Sequence, residues 1–294
     1  MDESQFERTA TDPAARVAQY KPLVRIYYDR LTDVYRRSWG ESFHFALFSS
    51  TESLPEAIVS TEQMIAEEGG FGPDTKVLDV GCGIGGPALN IAQYSGAHVV
   101  GVDILERHVE TARKRAAERR LSSLTSFILG DAMDMPFADE SFDSVYVFES
   151  GCHMPDKAKF YQECARVLRP GGLFLGIDWM RKEGLSHQEL ATFIEPICRL
   201  HAVPYLTTLD EFRRYLDTAG FEIERLEDTS ESNNMMRNWE PLGYGAMENL
   251  RIMEPGLTPL ARRVLTMGGM VLAEAARSGA FIVGRWRARK TNVA

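Results

Sequence analysis

Closely spaced glycines follow an apolar segment at residues 77–86, VLDVGCGIGG. Gly81, Gly83 and Gly86 fit the G-x-G-x-x-G pattern, in which a tight turn between a strand and a helix holds a nucleotide-like cofactor. Asp103 follows at about the distance, roughly 20 residues, at which a carboxylate binds a ribose hydroxyl. This pattern alone fits an NAD-dependent oxidoreductase as well as a protein that binds a smaller cofactor.

Asp79 separates these two alternatives, because it places a carboxylate beside the glycine turn. Its charge repels the pyrophosphate of a dinucleotide and attracts a cationic ligand. S-adenosyl-L-methionine (SAM) carries a sulfonium and an ammonium group and no phosphate, so it suits an acidic rim. The sequence therefore favours SAM as the cofactor, and the oxidoreductase remains a distant alternative.

Further cofactor contacts are expected after the next two predicted strands. Ile104 follows Asp103 and should line the same site, while Asp131, in LGDAMDMPF (129–137), could accept a hydrogen bond from an adenine amino group. The amide of Ala132 could then reach a ring nitrogen. A glycine hairpin, LRPGG (168–172), precedes the predicted fifth strand. Together with Asp79-x-Gly81-x-Gly83-x-Gly85, this order resembles the class I SAM-dependent methyltransferases.

A narrower resemblance lies at residues 146–160, YVFESGCHMPDKAKF, which are similar to a segment of γ-tocopherol methyltransferases and sterol 24-C-methyltransferases. Residues 27–48 and 79–92 resemble the same enzymes, and the likeness extends from residue 24 to about residue 180. It implies a lipophilic, often isoprenoid-derived acceptor. The segment 186–206 lacks the sterol enzymes' substrate signatures, and residues 146–156 lack a basic cluster for a diphosphate.

The resemblance also implies roles for individual side chains. Glu149 would face the sulfonium and His153 the acceptor, as the catalytic pair, while Tyr28 would close over the cofactor. The other residues expected to contact the acceptor are Tyr27, His44, Phe148 and Trp179. Purely structural roles remain open for three of these residues: Glu149 as a ligand of the ammonium or a turn cap, His153 as a hydrogen-bonding residue, and His44 as a packed side chain.

The chemistry follows from the acceptor. Methyl transfer is an in-line displacement, so the protein must position two partners and exclude water. Methylation of an alkene leaves a carbocation, which aromatic faces and a carboxylate stabilise before a base removes a proton. We therefore expect C-methylation of a prenyl or terpenoid alkene in natural-product biosynthesis, with rearrangement or cyclisation. The alternatives are N- or O-methylation of an alkaloid or polyketide, and a non-catalytic SAM-binding protein.

The elements that must position these residues alternate between strand and helix from residue 76 onward. Strands are predicted at 76–81, 98–103, 124–131, 142–150, 172–180, 221–229 and 279–290. Such alternation indicates an α/β fold with a mostly parallel, seven-stranded sheet, the Rossmann-like fold of class I methyltransferases. We divide the chain into an N-terminal aromatic helical lid (1–53) and a SAM-binding catalytic domain (54–294) with helical cap insertions at 186–206 and 233–278.

Composition narrows the remaining classes. A net charge of −9 over 294 residues argues against a nucleic-acid partner. The four cysteines form no CxxC pair and no metal-ligand spacing, so no metal is expected. Neither a signal segment nor a run of membrane-spanning length is visible, which favours a reducing cytoplasm without stable membrane insertion. The sequence leaves open whether the chain forms a homo-oligomer.

Overall fold

The fold is built on one mixed sheet, and the computed structural model describes residues 1–49, 51–230, 235–238 and 256–291. The strand order is β3-β2-β1-β4-β5-β7-β6, and only β7 runs antiparallel to its neighbours. The strands are β1 (Lys76–Val80), β2 (His98–Asp103), β3 (Thr125–Leu129), β4 (Phe142–Phe148), β5 (Leu168–Arg181), β6 (Phe221–Asp228) and β7 (Phe281–Lys290). The predicted α/β class and the seven-stranded, mostly parallel sheet are confirmed.

Helices cover both faces of this sheet and form the N-terminal segment. They are α1 (Glu3–Thr11), α2 (Pro13–Ala18), α3 (Tyr20–Trp39), α4 (Leu54–Glu68), α5 (Gly86–Ser95), α6 (Glu106–Glu118), α7 (Lys157–Val167), α8 (His187–Glu189), α9 (Glu195–Leu200), α10 (Leu209–Thr218), α11 (Pro259–Arg263) and α12 (Gly269–Arg277). None of those in the described part of the chain has the length and apolar character that a membrane span requires.

The central strands are buried on both faces, as their sequences require. In β1 every residue after Lys76 is buried, including Val77, Leu78 and Val80. Continuous apolar runs of this kind are typical of parallel strands covered by helices on two sides. One core cluster lies on each face, so the sheet forms a rigid base for the loops at its strand ends.

The strand order reverses at β1, which lies between β2 and β4. In such sheets the crevice at the carboxyl ends of the strands flanking the reversal is the usual ligand site. β1 leads directly into the glycine turn, and β4 ends at Phe148, next to Glu149. The topology therefore brings the two most informative sequence motifs to the same edge of the sheet.

Several boundaries differ from those expected. β5 begins at Leu168 rather than 172, because Leu168 pairs with Phe142 and Gly171, at φ 75°, lets the chain bend within the strand. β3 ends at Leu129, so Asp131 lies beyond the strand. The segment 186–206 contains α8, a π turn (Leu190–Ile194) and α9. Of the expected insertion at 233–278, residues 233–234 and 239–255 lie outside the described residues.

Candidate active site

Two open cavities adjoin at the carboxyl edge of the sheet. The first, which we call the cofactor cavity, lies over the glycine turn. The second, the acceptor cavity, lies between α3, β5 and the helices of the C-terminal segment. They share five lining residues: Tyr28, Phe43, His44, Glu149 and His153. A group bound in one cavity therefore meets a group bound in the other at a common wall.

The glycines of the turn have different structural roles. Gly81, Gly83 and Gly85 all adopt left-handed backbone conformations, with φ of 79°, 52° and 81°. A Cβ on Gly83 would meet only Phe43, at 4.0 Å, so this backbone faces open space in the cofactor cavity. A Cβ on Gly85 would lie 2.9 Å from that of Ala112. Gly85 is absent from the cavity wall, and its lack of a side chain permits close packing against Ala112 and Phe127, so its contact with the cofactor stays a prediction.

The carboxylates of the cofactor cavity differ in their hydrogen bonding. Asp79 is 1% exposed, and its Oδ2 has no hydrogen-bond partner in the described part of the chain. Burial raises its pKa to about 7. Asp103 accepts hydrogen bonds from the amides of Gly83, at 3.0 Å, and Leu105, at 2.8 Å, and Ile104 lines the wall beside it. The neighbouring Tyr146 hydroxyl favours the ionised form of Asp79, and a cation bound in the cofactor cavity would favour it further.

Asp131 and Ala132 also line the cofactor cavity, at the end next to the N-terminal helix. Asp131 Oδ2 accepts a hydrogen bond from the Tyr20 hydroxyl, at 2.7 Å, and forms an ion pair with Lys21, at 2.6 Å. Its Oδ1 accepts from the Met133 amide, at 2.9 Å. Asp131 thus holds α3 over the cavity mouth, and its contact with an adenine amino group stays a prediction.

Glu149 lies in the shared wall with both carboxyl oxygens engaged. Oε1 accepts a hydrogen bond from the Phe45 amide and Oε2 one from the Trp179 indole, each at 2.7 Å. Its backbone is left-handed, with φ of 51°, a conformation that is uncommon for non-glycine residues. Burial raises its pKa to about 7, although His44 and the two donors favour the ionised form. A cation bound beside this carboxyl group would lower its pKa and favour the fully ionised form.

His153 is held in a single tautomer by its two partners. Its Nδ1 lies 3.2 Å from the Ala202 carbonyl oxygen, which can only accept, so this nitrogen carries the proton. Nε2 is then the acceptor for the Tyr28 hydroxyl, at 3.0 Å. Burial lowers the pKa of His153 to about 4, which keeps the ring neutral near pH 7. Lys157 supports this turn by donating to the carbonyls of Gly151 and Cys152, at 2.7 and 2.9 Å.

The acceptor cavity is lined mainly by aromatic rings. Of the residues expected to contact the acceptor, it contains Tyr27, His44, His153 and Trp179. Phe148 instead lines the cofactor cavity, because it ends β4 and stacks on His44 with a ring separation of 4.4 Å. Sequence reasoning did not assign the lining residues Tyr35, Trp39, Phe43, Phe45 and His201. The aromatic run at 27–48 signalled the first four, whereas His201 had no signal.

The described residues fit SAM in their donor and charge pattern. Asp79 offers a buried oxygen without a hydrogen-bond partner among the described residues, and Gly83 offers a backbone with open space beside it. Glu149 offers a carboxyl group with a pKa of about 7, which a bound cation would favour in its ionised form. No group of three or more His, Cys, Asp or Glu side chains in the described ranges could hold a metal ion. The fold and this site define a class I SAM-dependent methyltransferase.

Comparison with known proteins supports this class and narrows it. Residues 78–176 match the family described as a methyltransferase domain. Sterol 24-C-methyltransferase erg-4 of Neurospora crassa is 35% identical over 270 residues, covering 87% of this chain and 69% of that enzyme. A second enzyme of this type, ERG6A of Gibberella zeae, is 37% identical, but the chain spans only 62% of its length. The chain belongs to the sterol 24-C-methyltransferase family.

Solved structures agree on the fold. A putative sarcosine dimethylglycine methyltransferase from Galdieria sulphuraria matches with a TM-score of 0.76 and 22% identity, covering 90% of this chain and 98% of that one. Geranyl diphosphate C-methyltransferase from Streptomyces coelicolor matches with a TM-score of 0.72 and 17% identity, covering 92% and 98%. At these identities the similarity establishes the arrangement of elements and does not identify the acceptor.

Proposed function

We propose that this methyltransferase transfers the SAM methyl group to a carbon of a neutral, lipophilic isoprenoid alkene. The observation that carries the proposal is the acceptor cavity: seven aromatic side chains line it, and it meets the cofactor cavity at Glu149. These side chains are Tyr27, Tyr28, Tyr35, Trp39, Phe43, Phe45 and Trp179. Ring faces attract a cation, so such a lining suits an intermediate that becomes positively charged.

The polarity of the cavity supports a neutral acceptor. None of the described residues that line it is lysine or arginine. Its titratable groups are Glu149, three tyrosines and three histidines, and His44, the histidine nearest to a carboxylate, has both ring nitrogens directed at protein acceptors. A diphosphate requires cationic or metal partners. We therefore favour a prenylated or terpenoid natural product, or a sterol side chain, over a free prenyl diphosphate. The names of the fungal relatives support a carbon acceptor within this class.

The chain's own groups account for the remaining steps. Asp79, Gly83 and Glu149 would hold SAM, which would supply an electrophilic methyl group to an alkene carbon with the thioether of SAH as the leaving group. Glu149 provides negative charge at the wall between both partners. The Tyr28 hydroxyl lines both cavities and donates to the neutral Nε2 of His153, so this pair is a candidate relay for the proton that the resulting carbocation must lose: the hydroxyl oxygen accepts it as its own proton passes to Nε2. Rearrangement or cyclisation follows if that proton is lost elsewhere.

We further propose that residues 1–53 act as a lid over both cavities. Tyr20 and Tyr28 of α3 line the cofactor cavity, and Tyr27, Tyr35 and Trp39 of the same helix line the acceptor cavity. Arg107 on α6 pairs with Asp33, adding a second link between α3 and the catalytic domain. Because one helix contributes to both cavities, its displacement would open them together.

The test is incubation with SAM labelled with ¹³C in its methyl group and a panel of acceptors. The panel contains sterols with a side-chain double bond, prenylated indoles, prenylated phenols, an alkaloid amine and geranyl diphosphate. We expect the label on a former alkene carbon of a neutral acceptor, identified by the ¹³C chemical shift. Label on nitrogen or oxygen would overturn the proposed acceptor chemistry, and transfer to geranyl diphosphate alone would overturn the argument from charge.

A further inference from the structure

Glu62 is a fully buried carboxylate on α4 that lines neither cavity. Its Oε1 accepts a hydrogen bond from the Ser42 hydroxyl, at 2.6 Å, and its Oε2 accepts one from the Asn90 amide, at 2.7 Å. The third polar neighbour is His44, whose Nε2 lies 3.4 Å from Oε1. Ser42, Asn90 and His44 thus surround a carboxyl group that has no contact with solvent.

His44 has an acceptor at each ring nitrogen. Nδ1 lies 2.9 Å from the Phe45 carbonyl oxygen, and Nε2 faces the Glu62 carboxylate. Neither group can donate, so both contacts are hydrogen bonds only if each nitrogen carries a proton. Burial opposes this charge, but the hydrogen bond and charge of Glu62 outweigh it and raise the pKa of His44. Two acceptors facing one ring therefore favour the imidazolium form of His44, at the wall shared by the two cavities.

Phe45 connects this imidazolium to Glu149. Its carbonyl faces His44, while its amide donates to Glu149 Oε1. Its ring stacks on Trp179 with a centroid separation of 5.8 Å and an interplanar angle of 12°, and the Trp179 indole donates to Glu149 Oε2. Both donors that orient the Glu149 carboxyl group thus depend on the placement of Phe45.

We propose that Glu62 is a positioning residue for methyl transfer, which holds His44 as the imidazolium that fixes the Phe45 peptide and thereby aims Glu149. The proposal rests on the proposed function only through the role of Glu149 at the cofactor. Glu62, Glu149 and Asp79 are the carboxyl groups whose charges act on His44. Since His44 neutralises Glu62, the other two remain available to the cations of SAM.

The first measurement is the ¹⁵N chemical shift of the His44 ring nitrogens in the labelled, cofactor-free protein at pH 7. We expect the two nearly equal shifts of an imidazolium in the native protein and the two separated shifts of a neutral ring in Glu62→Gln. A neutral ring in the native protein would overturn the proposal, even if the variant failed to fold. So would an imidazolium that persists unchanged in Glu62→Gln.

The second measurement is the ratio of the dissociation constants of S-adenosylhomocysteine (SAH) and SAM, by calorimetry. In Glu62→Gln the Phe45 peptide is held less firmly, which weakens the hydrogen bond from its amide to Glu149. The preference for SAM, expressed as the ratio of the SAH to the SAM dissociation constant, should therefore fall by about three- to tenfold. Ser42→Ala is the matched control, because it removes a donor to Glu62 but leaves its charge. That variant should retain the imidazolium and keep the preference within about twofold.

An equal preference for SAM in Glu62→Gln and the native protein would refute the positioning role. Neither measurement uses an acceptor, so the outcome is independent of the proposed acceptor chemistry. If the acceptor panel shows no C-methylation but the ¹⁵N shifts and the ratio of dissociation constants are as expected, the proposed function fails and this inference stands.

Discussion

The charge of Glu149 gives a quantitative prediction, because the same carboxyl group is only partly ionised near neutral pH. For a pKa of about 7, the ionised fraction rises from about 0.1 at pH 6 to about 0.9 at pH 8. If SAM binds the ionised form, its affinity should increase about tenfold over this range, or about 1.4 kcal/mol. SAH lacks the sulfonium charge, so its affinity should change much less.

The ratio of the SAH and SAM dissociation constants isolates the contribution of the sulfonium charge to binding. SAM and SAH share the ammonium, the carboxylate and the adenosine group, so titration of these groups and of Asp79 affects both ligands. In Glu149→Gln the pH dependence of the ratio should disappear, and the preference for SAM should stay at or below its value at pH 6. Calorimetry in buffers of different ionisation enthalpy should also show that SAM releases about half a proton more than SAH at pH 7.

The Gln side chain leaves one of the two donors, Phe45 N–H or Trp179 N–H, facing an amide NH₂ group. The double variant Glu149→Gln/Trp179→Phe removes that mismatch and serves as its control. The single and the double variant should both lose the pH dependence of the SAM-to-SAH preference, whatever their stability. A native protein whose SAM-to-SAH preference is constant between pH 6 and pH 8 would refute the reasoning. So would a tenfold pH dependence that survives in Glu149→Gln.

Three further predictions concern the glycine turn, the lid and Asp79. Gly85→Ala should lower the free energy of unfolding, measured by urea denaturation, by about 2–4 kcal/mol, because Gly85 has a φ of 81° and its Cβ would approach that of Ala112 to 2.9 Å. Gly83→Ala should lower it by only about 1 kcal/mol but should weaken SAH binding more than Gly85→Ala does. A larger loss of stability in Gly83→Ala, or a larger loss of SAH affinity in Gly85→Ala, would contradict our assignment. Tyr20→Phe removes the hydrogen bond to Asp131 and should release SAH about three- to fivefold faster in stopped-flow chases, whereas an unchanged rate would argue against the lid. Burial raises the pKa of Asp79 from its ordinary value of about 4 to about 7, so the folded protein keeps a proton that the unfolded chain has already lost, and the native protein loses stability as pH rises from about 4 to 7. Asp79→Asn does not titrate, so its stability relative to the native protein should increase over that range. A difference in stability that stays constant with pH would contradict this.

Residues that line the cofactor cavity could be identified from the sequence because their determinants are local. Asp79, the glycines and the next helix follow one another within a strand–turn–helix unit, and Asp103 ends the adjacent strand. The glycine pattern does not indicate which of its glycines lines the cavity and which packs against the core. Gly83 and Gly85 share a left-handed backbone, yet only the packing of Ala112 and Phe127 shows that Gly85 is needed for the core.

The acceptor half depends on contacts between distant parts of the chain. Phe45 reaches Glu149 across 104 residues, and Tyr27 meets His201 across 174. Glu62 occupies an ordinary position in an amphipathic helix, and no spacing or motif marks it. Its role depends on a loop that folds back onto α4, which is a property of tertiary packing. Short-range patterns therefore identified the aromatic segment without assigning partners to its members.

The left-handed backbone of Glu149 explains why the shared wall requires this tertiary support. A non-glycine residue in that region costs of order 1–3 kcal/mol, so surrounding contacts must hold it there. The Glu149 amide donates to the Ile177 carbonyl, at 2.9 Å, and its carboxyl group accepts from Phe45 and Trp179. The strained turn directs the carboxyl group away from the line of β4 and into the wall between the cavities. A relaxed, extended residue at this position would continue the strand and leave the junction of the two cavities without a carboxyl group.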